Sequence, residues 1–361
     1  MLKKSKQCQL QHKYLRKPRI LPQMLRKSMK VKDLVDEYSR SGAFNAGRLA
    51  EACKLYCHMI DKEATITVTL SGAMSPTGMG GVLITLMEKG FIDCIISTGA
   101  NLYHDLHFAL NLPVHQGDFR VDDTELYKAG IERIYDIFIT DEILLKTDKF
   151  IQDVAHKIPA DNPISTADFH YSLGNAVLTD TPSPHLSFVA QAARYNVPVF
   201  VSSPGDSSIG MNLSYLKLMG KGIIIDTDLD VLQSTAIIFK SKKNGVLSIG
   251  GGSPKNFYMQ TQPTLAQILD IGKGGHDYFI QLTTDAPHWG GLSGATPSEA
   301  ISWGKIRSEE VKNHVVVYSD ATITMPLIAS YAISERKPCK KKHLYRYLPD
   351  YVKSLKRNVK K

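Results

Sequence analysis

Phe91-Ile-Asp-Cys-Ile-Ile-Ser-Thr-Gly-Ala-Asn101 is the stretch that decides the fold. Phe91 to Ser97 is almost continuously apolar, the pattern of a strand covered on both faces. Its length suits a strand, and the small residues Ser-Thr-Gly-Ala close it. The unit recurs along the chain. Ala64 to Ser71 alternates Ile66, Val68 and Leu70 with threonines, and Gly80 to Lys89 follows with helical spacing. Val197–Ser202, Gly222–Asp226, Gly245–Ile249, Tyr278–Thr283 and Val315–Tyr318 read as further strands. Helix candidates lie at 187–195, 228–240 and 264–271, and an earlier one at 45–60 carries Leu49, Cys53, Tyr56 and Ile60 on one face. Repeated βα units predict an α/β fold: a Rossmann-like parallel sheet with helices on both faces, in a single domain.

Charge divides the chain differently. The 361 residues carry a formal charge of +9, with 43% apolar and 22% charged residues, an ordinary globular balance. Residues 1–32 hold 11 Lys or Arg and no acid, and 336–361 hold 11 against Asp350 alone. The α/β domain at 33–335 therefore keeps 22 basic and 34 acidic residues, net −12, between two basic extensions. An acidic body concentrates cations, although an acidic surface also serves solubility. The extensions are expected to be solvated, with nucleic acid as the alternative use of their charge. Residues 344–355 have enough Leu, Tyr and Val for a short helix against the body. No apolar run has membrane-spanning length. Five cysteines without a Cys-x-x-Cys pair fit buried thiols in a reducing cytoplasm, and no cluster has metal-ligand spacing.

In open parallel sheets, ligands bind beyond the carboxyl ends of the strands. The distinctive loops fall there: Ser71-Gly-Ala-Met-Ser-Pro-Thr-Gly78, Ser97-Thr-Gly-Ala-Asn101, Ser203-Pro-Gly-Asp-Ser-Ser-Ile-Gly210, Gly250-Gly-Gly-Ser-Pro-Lys255 and Asp320-Ala-Thr322. Small residues let backbone N–H groups approach a phosphate. Each loop alone is equally a turn, and Asp206 and Asp320 equally suit helix N-caps.

The chemistry concentrates in Ser293-Gly-Ala-Thr-Pro-Ser-Glu-Ala-Ile-Ser-Trp-Gly-Lys-Ile306. A lysine amine attacks a carbonyl or imine carbon when unprotonated, and desolvation lowers its pKa. Trp303 offers Lys305 an apolar wall, and Glu299 is a candidate acid or base. A lysine beside a tryptophan is otherwise a surface residue with its stem on the ring. The whole run resembles the active-site segment of the deoxyhypusine synthase family, and the likeness is collinear from the helix at Asn45 to Thr324.

That resemblance implies an NAD-dependent aminobutyltransferase in which Lys305 holds the transferred group as an imine, with Glu299 and His104 as further catalytic candidates. It implies an NAD site lined by Thr98, Gly99, Asp206, Gly251, Gly252, Thr284, Asp320 and Ala321. It also implies a homotetramer with sites at subunit interfaces. Trp303, Asn256, Asp285, Met211 and Leu292 fall at substrate positions. There the chain departs from the eukaryotic pattern. Asn256 replaces a histidine, Met211 and Leu292 replace two aspartates, and His104 replaces a glutamate. Asp285, Asp105 or Glu299 would have to compensate. The departures resemble the bacterial deoxyhypusine synthase-like branch, which implies spermidine as donor, a small amine such as putrescine as acceptor, and homospermidine as product. The alternatives are modification of a protein, action on another amine, or a non-catalytic protein using its basic extensions on nucleic acid.

Overall fold

A computed structural model describes residues 2–16, 18–307 and 312–359. Six parallel strands form the main sheet: β1 (Thr65–Leu70), β2 (Cys94–Ser97), β6 (Val199–Val201), β7 (Asn244–Ile249), β8 (Tyr278–Thr283) and β9 (His314–Tyr318). Between β2 and β6 the chain builds a small antiparallel sheet from β3 (His115–Gln116), β4 (Ile131–Ile134) and β5 (Ile137–Thr140). The main sheet is ordered β6-β2-β1-β7-β8-β9. Counting parallel strands alone, this is the doubly wound order 3-2-1-4-5-6, whose switch point lies between β1 and β7.

The alternation along each strand explains the two layers. Ile66, Val68 and Leu70 of β1, with Ile280 and Leu282 of β8, face a core shared with helices 44–61, 80–88, 99–109, 188–195 and 321–335. Ile96, Phe200, Val246 and Phe279 face the opposite core, against helices 227–240, 252–263 and 348–358. The threonines of β1 are therefore buried under a second helical layer, and Thr69 Oγ1 donates to Ser248 Oγ of β7 at 2.9 Å. Helix 44–61 buries Leu49, Cys53, Tyr56 and Ile60 as its spacing predicts. Its buried Cys53 and Cys57 thiols are pushed up to about 12 and about 11, mainly by desolvation.

Two expected elements differ. Gly222–Asp226 makes no strand, only a single bridge between Ile164 and Ile225. Gly222 is still packed against Lys217 at the end of helix 208–218, while Asp226 already caps helix 227–240, so too little extended chain is left between them. The helix expected at 264–271 is the tail of one that starts at Gly252. Pro263 breaks the α-helical pattern, and the chain leaves through a π turn at Thr264–Ile268.

The C-terminal residues pack on the body: Leu344, Leu348 and Leu355 are buried. The N-terminal helix, Leu2–Tyr14, is exposed at every described side chain. Among the described residues, no helix is long and apolar enough to cross a membrane.

Candidate active site

The segment 293–306 is held in place almost residue by residue. Gly251 leaves room for it: a Cβ there would lie 2.5 Å from Ser293 Cα. Gln281 of β8 donates to Ser293 O at 2.7 Å and to Gly250 O at 2.8 Å, tying the segment to the glycine loop. Thr296 then caps the short helix Pro297–Ser302 by accepting from Glu299 N. Gly304, at φ +63°, ends the helix, with Gly304 N donating to Ile301 O and Lys305 N to Ala300 O. That pair of bonds is a Schellman motif with glycine at its left-handed position, which accounts for the Trp-Gly-Lys order. Lys305 O accepts from His276 N at 2.9 Å, so its backbone is fixed on both sides.

Lys305 faces a cavity of about 290 Å³ on the β8 face of the sheet. Met259 and Phe279 form its floor, and Leu292, Ala300 and Trp303 line its walls. Lys305 Nζ donates to Asn256 Oδ1 at 3.3 Å and lies 5.5 Å from the Trp303 ring centroid. Burial lowers the Lys305 pKa, and the Glu299 carboxylate acts against that shift. Asparagine is the informative neighbour, since it orients an amine without the charge that would keep it protonated.

A second lysine shares the cavity. Lys255 is buried, and desolvation brings its pKa down to about 8, against the opposing pull of Glu299 and Asp285. Its Nζ lies 3.1 Å from Ala295 O and 3.4 Å from Ser293 O. Sequence reasoning placed Lys255 only as the end of a loop. Its burial follows from helix 252–263 running back across the sheet, which a Gly-Gly-Gly-Ser-Pro turn signal conceals.

Asn256, Glu299, Trp303 and Leu292 meet Lys305 in this cavity, and the carboxylate of Asp285 acts on neighbouring Lys255. Met211 does not line it: it is 68% exposed on helix 208–218. His104 also lies elsewhere, with Nδ1 3.0 Å from His107 Nε2, and burial lowers its pKa to about 4. His107 bonds Thr147 in turn. Asp105 cannot compensate for lost carboxylates. It is buried at the start of helix 188–195, accepting from Ser187 Oγ, Phe188 N and Val189 N, and desolvation pushes its pKa up to about 7.

The residues expected around a dinucleotide all stand at one edge. Thr98 and Gly99 follow β2, Asp206 follows β6, Gly251 and Gly252 follow β7, Thr284 follows β8, and Asp320 and Ala321 follow β9. Helix 252–263 follows β7 at the switch point, helix 99–109 follows β2 one strand away from it, and neither has a side-chain cap. Their N–H groups fit a pyrophosphate. Asp206 is exposed and accepts no side-chain hydrogen bond among the described residues, so it is free to hold a ribose hydroxyl. Asp320 is an N-cap, bonding Thr322 N and Oγ1. Two glycines serve packing rather than open approach: Ser207 fills the space beside Gly99, as Ser293 does beside Gly251.

The fold assigns the chain to the Rossmann-type α/β proteins. Within that class it belongs to the deoxyhypusine synthase family, whose profile, described as "Deoxyhypusine synthase", matches residues 33–332. It is 43% identical over 336 residues to a "Deoxyhypusine synthase-like protein" of Nostoc punctiforme, covering 91% of this chain and 86% of the relative. It is 42% identical over 311 residues to the "Probable deoxyhypusine synthase 2" of Methanosarcina acetivorans, covering 86% and 88%. A crystal structure titled a "putative deoxyhypusine synthase" from Entamoeba histolytica shares the fold, with TM-score 0.56 and 16% identity over 87% of this chain and 96% of that one. The family supports NAD-dependent aminobutyl transfer as the class of chemistry.

Proposed function

We propose that the protein transfers an aminobutyl group between polyamines through an imine at Lys305, with spermidine as donor, putrescine or a similar small amine as acceptor, and homospermidine as product. The observation that carries this reading is Lys305 itself: an amine lowered in pKa by burial, held by Asn256 Oδ1, in an apolar cavity beside one carboxylate.

The loops at the carboxyl edge would hold NAD, which would supply the acceptor and later the donor of one hydride. The neutral Lys305 amine attacks the carbon of the oxidised donor's C=N bond. The bond from that carbon to the three-carbon arm then breaks, and 1,3-diaminopropane leaves with a proton. The four-carbon fragment stays on Lys305 as an imine. An acceptor amine attacks the same carbon and frees Lys305, and the returning hydride reduces the product. Glu299 carries the proton between leaving and entering amines, and it bears the charge that attracts an ammonium end. Met259 and Phe279, both buried, hold the methylenes, and Leu292 and Trp303 extend that apolar wall toward the surface.

A homotetramer belongs to this reading. Met211, Trp289, Trp303 and Ile323 are each more than 60% exposed, apolar side chains that a second copy would cover. Leu292, where the eukaryotic pattern has a carboxylate, favours instead the alternative of a less charged amine as substrate. The test is mass spectrometry of products from NAD and spermidine, with and without putrescine. Diaminopropane plus homospermidine is the expected result. Diaminopropane alone would move the acceptor to another amine or to a protein, and unchanged spermidine would sink the polyamine donor.

A further inference from the structure

At the sheet edge opposite the glycine loops, the C-terminal chain closes a cavity of about 640 Å³. The run Pro338-Cys-Lys-Lys-Lys-His343 is pinned across this edge rather than left in solvent. Cys339 N donates to Lys89 O, and the Cys339 backbone occupies space that a Cβ on Gly90 would need, 2.6 Å from Cys339 O. Lys342 Nζ reaches the buried Asp93 carboxylate at 2.7 Å and Ala64 O at 2.6 Å. Tyr345 N then donates to Asn196 O, and Leu344 and Leu348 bury behind it.

These anchors decide where the remaining charge goes. Lys340 and Lys341 line the cavity from the strap, and Lys240 and Lys242 line it from the end of helix 227–240. Lys342 is neutralised by Asp93, and Lys341 lies 4.7 Å from the Tyr195 ring centroid. Lys240, Lys242 and Lys340 have no carboxylate partner among the described residues, and Glu63 is the one acid in the lining. Unpaired cations gathered in one concavity repel each other, and a body of net −12 has no need of them for solubility. A bound anion removes the repulsion. Tyr347 and Tyr351 line the same space, their rings 5.9 Å apart and 18° from parallel, offering flat apolar surface.

We infer that this cavity is a binding site for a small polyphosphorylated anion. Its volume lies in the range of small-molecule pockets, and lysines bind phosphate as flexible point charges. Nucleic acid, by contrast, needs an open track along which successive phosphates lie.

The test is isothermal titration calorimetry on the full chain saturated with NAD, so that the carboxyl-edge loops are filled, using tripolyphosphate and ATP as separate probes. One site per chain is expected, with affinity falling steeply as salt rises. The double variant Lys240→Glu/Lys340→Glu changes two exposed residues and is expected to weaken binding about tenfold or more, with melting and spermidine cleavage unchanged. Tighter binding of ATP than of tripolyphosphate assigns a base to the tyrosines; equal binding assigns the site to phosphates alone. Absence of heat from both probes, unchanged affinity in the variant, or tighter binding of a short single-stranded RNA would each overturn the inference.

Discussion

Two lysine-lined cavities on different parts of one sheet use the residue in opposite ways. Beside β8, Lys255 and Lys305 are drawn out of water, their pKa values fall, and Asn256 offers Lys305 an uncharged partner. At the amino edge, Lys240, Lys242 and Lys340 stay exposed, with no carboxylate partner among the described residues. Desolvation favours a neutral amine, while solvated charge favours a bound anion. Composition counts both sets as basic residues. Burial separates them.

The strongest way to break this contrast is Lys305→Arg. The guanidinium keeps the charge but cannot form the imine, so turnover should fall by about 10³-fold or more with NAD affinity retained. Diaminopropane release and NAD titration measure the two effects, and near wild-type release would remove Lys305 from the chemistry. Lys342→Ala strikes the other cavity. It strands Asp93, whose pKa burial already raises and Lys342 counteracts, and should cost about 3 kcal/mol in urea denaturation. It should also weaken tripolyphosphate binding, because the strap loses an anchor. A stability loss no larger than that of an exposed pair would show that the strap is held elsewhere.

Lys255 sharpens the comparison through pH. Its pKa is about 8 folded against the usual 10.5, so below pH 8 both states are protonated and the desolvation cost is present in full. Between those values the unfolded chain binds more protons, and stability rises with pH. From pH 8 to 10 the wild type should therefore gain about 2 kcal/mol relative to Lys255→Met. Parallel stability profiles for the two proteins would contradict this. The smallest effect is expected from Gly304→Ala. No atom lies within 4 Å of the added methyl, so the cost is backbone strain at φ +63° alone, about 1 kcal/mol. Urea denaturation would detect it, and a neutral result would mean that the turn before Lys305 relaxes.

Much of this was legible in the sequence, for physical reasons. Near-continuous apolar runs such as Cys94–Ser97 are forced by a sheet covered on both faces, and the loops that end them mark the carboxyl edge. The segment 293–306 was legible through its likeness to a family's active-site run, since a lysine beside a tryptophan otherwise reads as a surface residue. The small sheet at 115–140 was not, since strands of two to four residues carry too little pattern. Gly222–Asp226 looked like a strand from its isoleucines, but strand formation needs a partner, and Ile164 supplies one bridge. The three-residue spacing of His104 and His107 does not by itself show that the two rings bond each other. Lys255 was hidden most completely, because its depth depends on how its own helix, 252–263, crosses the sheet.

Gly251 ties these parts together. The hydrogen atom it carries in place of a side chain is what lets Ser293 sit against the loop at the sheet's switch point, and Ser293 begins the segment that ends in Lys305. Close-packed backbones do not compress. A ligand that shifts the glycine loop by a few tenths of an ångström must push on the tether of Lys305, so the loop and the lysine answer to one another as a single mechanical part.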